Sequence, residues 1–172
     1  DLEEEIYHAY TLEETAVASV QLSNGEEVNF TPSTLKDIKA DFTENQKGIK
    51  GYYSGGTLAS EAAMLIKHST DEEEVEDDAF TYKSASHEII DLGDDMYTQG
   101  KPHPMIDPEK RIEKLETSAD SEDTAVIMLD NVIGYGSHAD MASELAPTIK
   151  RITDKAASEE RSLVVLATVV GT

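Results

Sequence analysis

The sequence has no cysteine and no tryptophan, and it is short of cations, with 14 lysines and arginines against 36 aspartates and glutamates. The lack of cysteine excludes disulfides, thiolate metal sites and cysteine nucleophiles together, and it fits a reducing, cytoplasmic setting. The lack of cations excludes nucleic acid as an expected partner, because phosphate contacts rely on Lys and Arg to displace counterions. Apolar runs stay far below the roughly 18 residues that a membrane span needs, and no charged-then-apolar leader opens the chain, so no membrane partner is expected. HExxH and GxSxG are also missing, which removes the familiar zinc and serine hydrolases. The chain begins at Asp1 and stops at Thr172 directly after a strand-like run, and it reads as a fragment.

What remains is acidic and foldable. The formal net charge is −22, which reads either as a solvated or salt-adapted acidic surface or as a face for a basic partner or divalent metal. Hydrophobic residues make up only 38%, but they gather into runs such as Ala125 to Leu129 and Leu163 to Ala167, the mark of a folded core. At 172 residues, one domain with an appended helical segment is expected.

Residues 1–47 read as a helical linker. Apolar positions at Leu2, Ile6, Ala9 and Tyr10, then Ala16, Val17 and Val20, have near-helical spacing, and Thr11 with Glu14 has capping-box form ahead of a stop at Asn24-Gly25. Thr31-Pro32-Ser33 marks a turn or a helix start. From residue 48 onward, strand-like and helical stretches alternate. Strands are expected at 48–53, 87–92, 126–129 and 163–170. Helices are expected at 57–68, from Asp107-Pro108 to Ala119 with Ile112 and Leu115 facing in, and over the segment with Met141, Leu145 and Ile149 on one side. Asp71 to Asp78 carries seven acids in eight positions and reads as a loop. This order predicts residues 48–172 as a flavodoxin-like α/β domain of three layers around a mainly parallel sheet. Ligands in such sheets lie beyond the carboxyl ends of the strands, where the glycine turns fall.

Three segments there carry candidate chemistry. Ser54, Gly55, Gly56 and Thr57 sit between a strand and a helix, where backbone N–H groups and the helix dipole suit a phosphate or carboxylate; the plainer reading is a tight turn capped by Thr57. Neither GxxxxGK[ST] nor GxGxxG stands at this turn. Asp94 and Asp95 end a buried strand, placed to hold a metal or to accept from a substrate's N–H and O–H groups, and His103 sits stiffly between two prolines; the three are the candidate catalytic set, unless the loop is merely made of turn formers with Asp107 as a cap. Asn131 and His138 flank Gly134-Tyr135-Gly136-Ser137 and read as the other side of a ligand crevice, His138 being either an acid, base or ligand or an exposed first-turn residue. His8, His68 and His87 have no partners at metal-ligand spacing, and no metal is assigned.

Taken together, Tyr53-Ser54-Gly55-Gly56-Thr57-Leu58-Ala59-Ser60-Glu61-Ala62, Ile90-Asp91-Leu92-Gly93-Asp94-Asp95, Gly100-Lys101-Pro102-His103-Pro104-Met105-Ile106-Asp107-Pro108 and Gly134-Tyr135-Gly136-Ser137-His138 resemble FdrA-family proteins over roughly residues 48–172. That family is similar to the succinyl-CoA synthetase α subunit, in which a Ser-Gly-Thr-Leu segment opens a helix facing a phosphorylated histidine; Gly55, Gly56, Thr57 and Leu58 take the corresponding places, and Glu61 also matches. The resemblance implies an acyl-CoA-synthetase-like ligase domain acting on an acyl or carbamoyl phosphate, with CoA and nucleotide as cofactors, or a subunit of an oxamate carbamoyltransferase in anaerobic allantoin breakdown. It also implies partners in the protein's other domains and in an oligomer or multisubunit complex. Two departures mark the chain. Val132 stands near the place where the synthetases supply a carboxylate to the histidine, and that histidine would lie beyond Thr172. A non-catalytic assembly module is therefore a further alternative.

Overall fold

The computed structural model describes residues 9–30 and 40–171. The chain divides into two units, with the boundary after residue 38. In the first, helix α1 spans Leu12–Ser23. Thr11 Oγ accepts the Glu14 N–H at 3.0 Å while Glu14 accepts the Thr11 N–H at 3.2 Å, so two of the unpaired donors at the helix start are satisfied reciprocally. The helix stops at Asn24, followed by Gly25 at φ 73°, and Gln21 then pins the return by bonding both backbone groups of Asn29. The readings made on residues 1–8 and 31–39 lie outside the described residues.

The second unit has strands β1 (Gly48–Tyr53), β2 (Tyr82–Lys83), β3 (Glu88–Asp91), β4 (Thr124–Ile133) and β5 (Val164–Gly171) in one sheet, ordered β2-β3-β1-β4-β5. Its helices are α2 (Gly56–Ser69), α3 (Asp95–Thr98), α4 (Glu109–Ala119) and α5 (Met141–Ser158). β3, β1, β4 and β5 are all parallel, and β2 pairs antiparallel at the β3 edge. This is the expected flavodoxin-like architecture, with the strand order reversing at β1.

Strand alternation sends neighbouring side chains to opposite faces, and the core divides accordingly. Tyr52, Ile90, Ile127 and Leu129 pack with Leu115 of α4 and with Met141, Leu145 and Ile152 of α5. Tyr53 and Ile89 pack with Ala59, Ala62, Ala63 and Ile66 of α2. The alanine stripe lets α2 lie close to the sheet.

Several elements differ from the sequence reading. β2 and the single-turn α3 were not expected: two residues of strand and four of helix carry too little periodicity to be seen. β4 continues through Asp130 and Asn131 to Ile133, because β5 pairs with it residue by residue as far as Ile133↔Gly171. Asn131 therefore lies inside a strand and not in the loop after it. Pro108 occupies the N-cap of α4, and Asp107 Oδ1 accepts the Glu109 N–H at 2.8 Å. The acidic run is partly fastened down. Val75 donates to the Lys83 carbonyl at 2.8 Å, Asp77 pairs with Lys83 at 2.7 Å, and Glu72 accepts from Ser84 Oγ and the Ser86 N–H.

Candidate functional site

β1 ends at Tyr53, and the chain must turn at once into α2. Ser54, fully buried, fixes that turn from the next strand: its N–H donates to Asp130 Oδ1 at 3.0 Å, and its hydroxyl donates to Asp130 Oδ2 at 2.7 Å. Asp130 is 1% exposed, and a buried carboxylate needs a counter-charge. Arg111 of α4, also 1% exposed, supplies it at 3.4 Å, and the same Nη1 donates to the Asp130 carbonyl while Nε donates to the Pro104 carbonyl at 3.3 Å. Burial holds the Arg111 guanidinium below its ordinary pKa, and the Asp130 charge opposes that shift. Burial, with Asp130 and Glu61 adding to it, pushes the Tyr53 phenol up to about 12. One ion pair thus ties together the turn into α2, the end of β4 and the loop that carries His103.

Two clefts open beside this clamp, both at the carboxyl ends of the parallel strands. The first, about 210 Å³, is lined by Ser54, Gly55, Thr57, Leu58, Met105, Asp130, Val132 and Val170. Gly55 is the N-cap of α2 and offers no side-chain cap, so the amides that open the helix remain available to a ligand there. The second, about 260 Å³, lies against Gly56, Ser60, Asp78, Thr81, Asp91, Asp94 and Tyr97. Between strand and helix, Asp91 dominates this cleft. A Cβ on Gly56 would meet Asp91 Oδ2 at 3.0 Å, so the glycine makes room for that carboxylate at the start of α2. Burial raises the Asp91 pKa above the ordinary aspartate value. The Gly93 N–H, which donates to Oδ1 at 2.8 Å, opposes the rise, Asp94 and Asp130 add to it, and His103 also opposes it.

The residues singled out from the sequence fall into three groups. Ser54, Gly55 and Thr57 border the first cleft, and Gly56 borders the second. Ser54 spends both its N–H and its hydroxyl on Asp130, so its side of the turn is a brace, and the donors open to a ligand are those further along the helix start. Asp94 lines the second cleft while its Oδ1 caps α3 through the Met96 N–H at 2.9 Å. His103 Nδ1 accepts the Met105 N–H at 3.2 Å, which leaves the proton of the neutral ring on Nε2, directed at Gly93. Asp95 is an exposed residue in the first turn of α3, and Asn131 is a half-buried strand residue opposite Val169; neither lines these clefts. His138 reaches the site through its backbone, which donates to the Met105 carbonyl at 2.9 Å, while its Nδ1 accepts the Asp140 N–H. Gly134 (φ 127°) and Gly136 (φ 90°) bracket a fully exposed Tyr135 in the intervening turn.

Sequence reasoning missed Arg111 and did not single out Asp91. Arg111 shares a helical face with Leu115 and Ser118, all three buried, and a cation on an inward stripe is a signal of a buried partner. Asp91 lies two residues after Ile89, which packs against α2, so alternation turns it toward the start of that helix. Among the described residues, no group of three or more His, Asp or Glu could hold a metal ion, and no helix is long and apolar enough to cross a membrane.

Comparison with known proteins finds relatives over most of the chain. The CoA-ligase family model matches residues 52–172, from β1 to the end of the chain. YahF, an uncharacterized protein of Escherichia coli (strain K12), is 38% identical over 182 aligned positions that take in 99% of this chain and 35% of YahF. The chain thus spans about a third of the length of this curated relative.

Proposed function

The chain belongs to the CoA-ligase family, and from that premise we propose that it is an FdrA-type, acyl-CoA-synthetase-like domain that binds an acyl or carbamoyl phosphate at the start of α2. One observation carries the reading: the uncapped N-terminus of α2, with Gly55, Gly56, Thr57 and Leu58 in the order the resemblance requires, opens at the point where the strand order reverses. The opening amides and the partial positive charge of a fourteen-residue helix favour an anion there. The Arg111–Asp130 pair supports the reading by holding the turn from behind and neutralising the nearest buried carboxylate.

CoA and nucleotide fit the family but not the small cleft itself. About 210 Å³ takes a phosphoryl group and a short acyl or carbamoyl substituent, and its lining residues include no Lys or Arg for further phosphates. We assign the nucleotide portions of such cofactors to other regions of the longer protein, whose remaining domains and subunits are the proposed partners, in the cytoplasm. Val132 favours a second reading, a non-catalytic assembly module, because it lines the cleft with an apolar side chain near the position where the resemblance calls for a carboxylate.

Calorimetric titration of the full-length protein with inorganic phosphate, carbamoyl phosphate, CoA, succinate and oxamate separates these readings. Gly56→Val should abolish phosphate and carbamoyl phosphate binding, because its side chain would collide with Asp91 and displace the helix start. Gly55→Ala should spare it, since a Cβ there meets nothing within 4 Å. No binding of any of these ligands to the unmodified protein would favour the assembly module.

A further inference from the structure

The sequence holds four asparagines, and the residue after each decides what its side chain can do. Phe30, Gln46 and Val132 follow Asn29, Asn45 and Asn131, whereas Gly25 follows Asn24. A glycine has no side chain to shield its backbone nitrogen, so that nitrogen can reach the amide carbon of the preceding asparagine. Both Asn24 and Gly25 are exposed, and a Cβ built on Gly25 would meet nothing within 4 Å. The space around the pair is open.

The same pair closes α1. Asn24 is its C-cap at φ −88°, ψ −4°, and Gly25 follows at φ 73°. The Gly25 N–H donates to the Leu22 carbonyl at 3.0 Å and the Glu26 N–H to the Gln21 carbonyl at 2.9 Å, the paired bonds that end a helix on a left-handed glycine. Gln21 then holds the return, its Nε2 donating to the Asn29 carbonyl at 3.2 Å and its Oε1 accepting the Asn29 N–H at 2.9 Å. With ψ near zero, the Gly25 nitrogen eclipses the Asn24 nitrogen and is turned away from the Asn24 side chain. Ring closure onto that side chain therefore requires the helix end to open first, and helix ends open locally at far lower cost than the whole fold.

We infer that Asn24 is a modification site, at which the chain deamidates itself when the last turn of α1 opens. The Gly25 nitrogen loses its proton to solvent base and attacks Asn24 Cγ; the N–Cγ bond forms, the Cγ–Nδ2 bond breaks, and Nδ2 leaves as ammonia after taking up a proton from water. Water then opens the resulting succinimide at one of its two carbonyls, giving either aspartate or isoaspartate, in which the main chain runs through the side-chain carbon. Loss of ammonia makes the change one-way. Both products put a carboxylate at the negative end of a helix that has no basic residue in its last turn. Isoaspartate also lengthens the backbone by one carbon, which carries the Gly25 and Glu26 N–H groups off the Leu22 and Gln21 carbonyls. The modification therefore loosens the stop of α1.

Ageing the full-length protein in mildly alkaline buffer tests this, with digestion in acid at intervals and mass spectrometry reading aspartate and isoaspartate at each asparagine. Asn24 should convert ahead of Asn29, Asn45 and Asn131, severalfold more slowly than in a free peptide of residues 19–29, and faster as the pH is raised. Gln21→Ala removes both bonds to Asn29 while keeping a strong helix former, and it should move the rate at Asn24 severalfold toward that of the peptide. Asn24→Gln, whose longer side chain disfavours the five-membered ring, should lack the product. An intact Asn24 in both the unmodified protein and Gln21→Ala, through the time in which the peptide converts completely, overturns the inference. Conversion at the peptide's rate, or a rate that Gln21→Ala leaves unchanged, overturns it too, because the helix end would then not control the reaction.

Discussion

Ser54 and Asp130 stand 76 residues apart in the chain and form a single brace: the carboxylate takes the serine N–H and hydroxyl together, so the turn entering α2 is fixed by the neighbouring strand and not by its own sequence. A carboxylate in that position, 1% exposed, is tolerated because Arg111 lies against it.

Removing one partner of this pair should therefore be costly. Arg111→Met leaves Asp130 buried and unpaired, and we expect a loss of about 3–5 kcal/mol in urea unfolding. Asp130→Asn should lose less, since the amide oxygen can still accept from Ser54. The double variant Arg111→Met/Asp130→Leu should recover part of the stability, because it removes the stranded charge. A single Arg111→Met change that costs under about 1 kcal/mol would show that the pair does not carry the turn.

Asp91 predicts the opposite sign. Burial raises its pKa above the ordinary aspartate value, so the folded protein holds the proton more tightly than the unfolded chain. Stability from this group is present at low pH and is lost as pH rises through the folded pKa. Asp91→Asn should thus raise the melting temperature at pH 7, and the gain should shrink as pH falls toward 4. A lower melting temperature for Asp91→Asn at pH 7, with no change across the series, would contradict this.

Glu72 behaves as a fastening for the acidic segment. Hydrogen bonds from Ser84 Oγ and from Ser86 lower its pKa to about 2 against partial burial, with His87 contributing. The folded value lies below the unfolded one, so its stabilisation is complete above the ordinary glutamate range and is lost as pH falls through it toward 2. Glu72→Ala should cost about 1–2 kcal/mol at pH 7, and chemical denaturation at pH 3 should show the difference clearly reduced. A cost that stays constant with pH would mean that packing, not the ionised carboxylate, holds the segment.

The fold was legible where periodicity is strong. The strands at 48–53, 87–92, 126–129 and 163–170 lie on or beside observed strands, and the apolar face of α4 is the one named by Ile112 and Leu115. The short β2 was not legible, because its pairing is set by β3 and by the acidic segment alongside it. The candidate site was legible as a set of loops. Gly55, Gly56 and Thr57 could be placed at a helix start from a strand, a glycine turn and a helix in order, but which acids attend that turn could not. Asp94 and Asp95 stand out in the sequence as a pair following a strand, whereas the acid that reaches Gly56 is Asp91, three residues before Asp94 and still within β3.

The sequence by itself determined the alternation of strands and helices, and with it a parallel sheet whose glycine turns gather at one end, since these follow from the spacing of apolar residues and the conformational freedom of glycine along a local stretch of chain. Only the tertiary structure decided which polar groups meet. Arg111 with Asp130, Ser54 with Asp130, and Asp91 with Gly56, Gly93 and His103 are brought together by strand order and helix docking, and electrostatic pairing in a buried site acts across space without leaving a pattern along the chain.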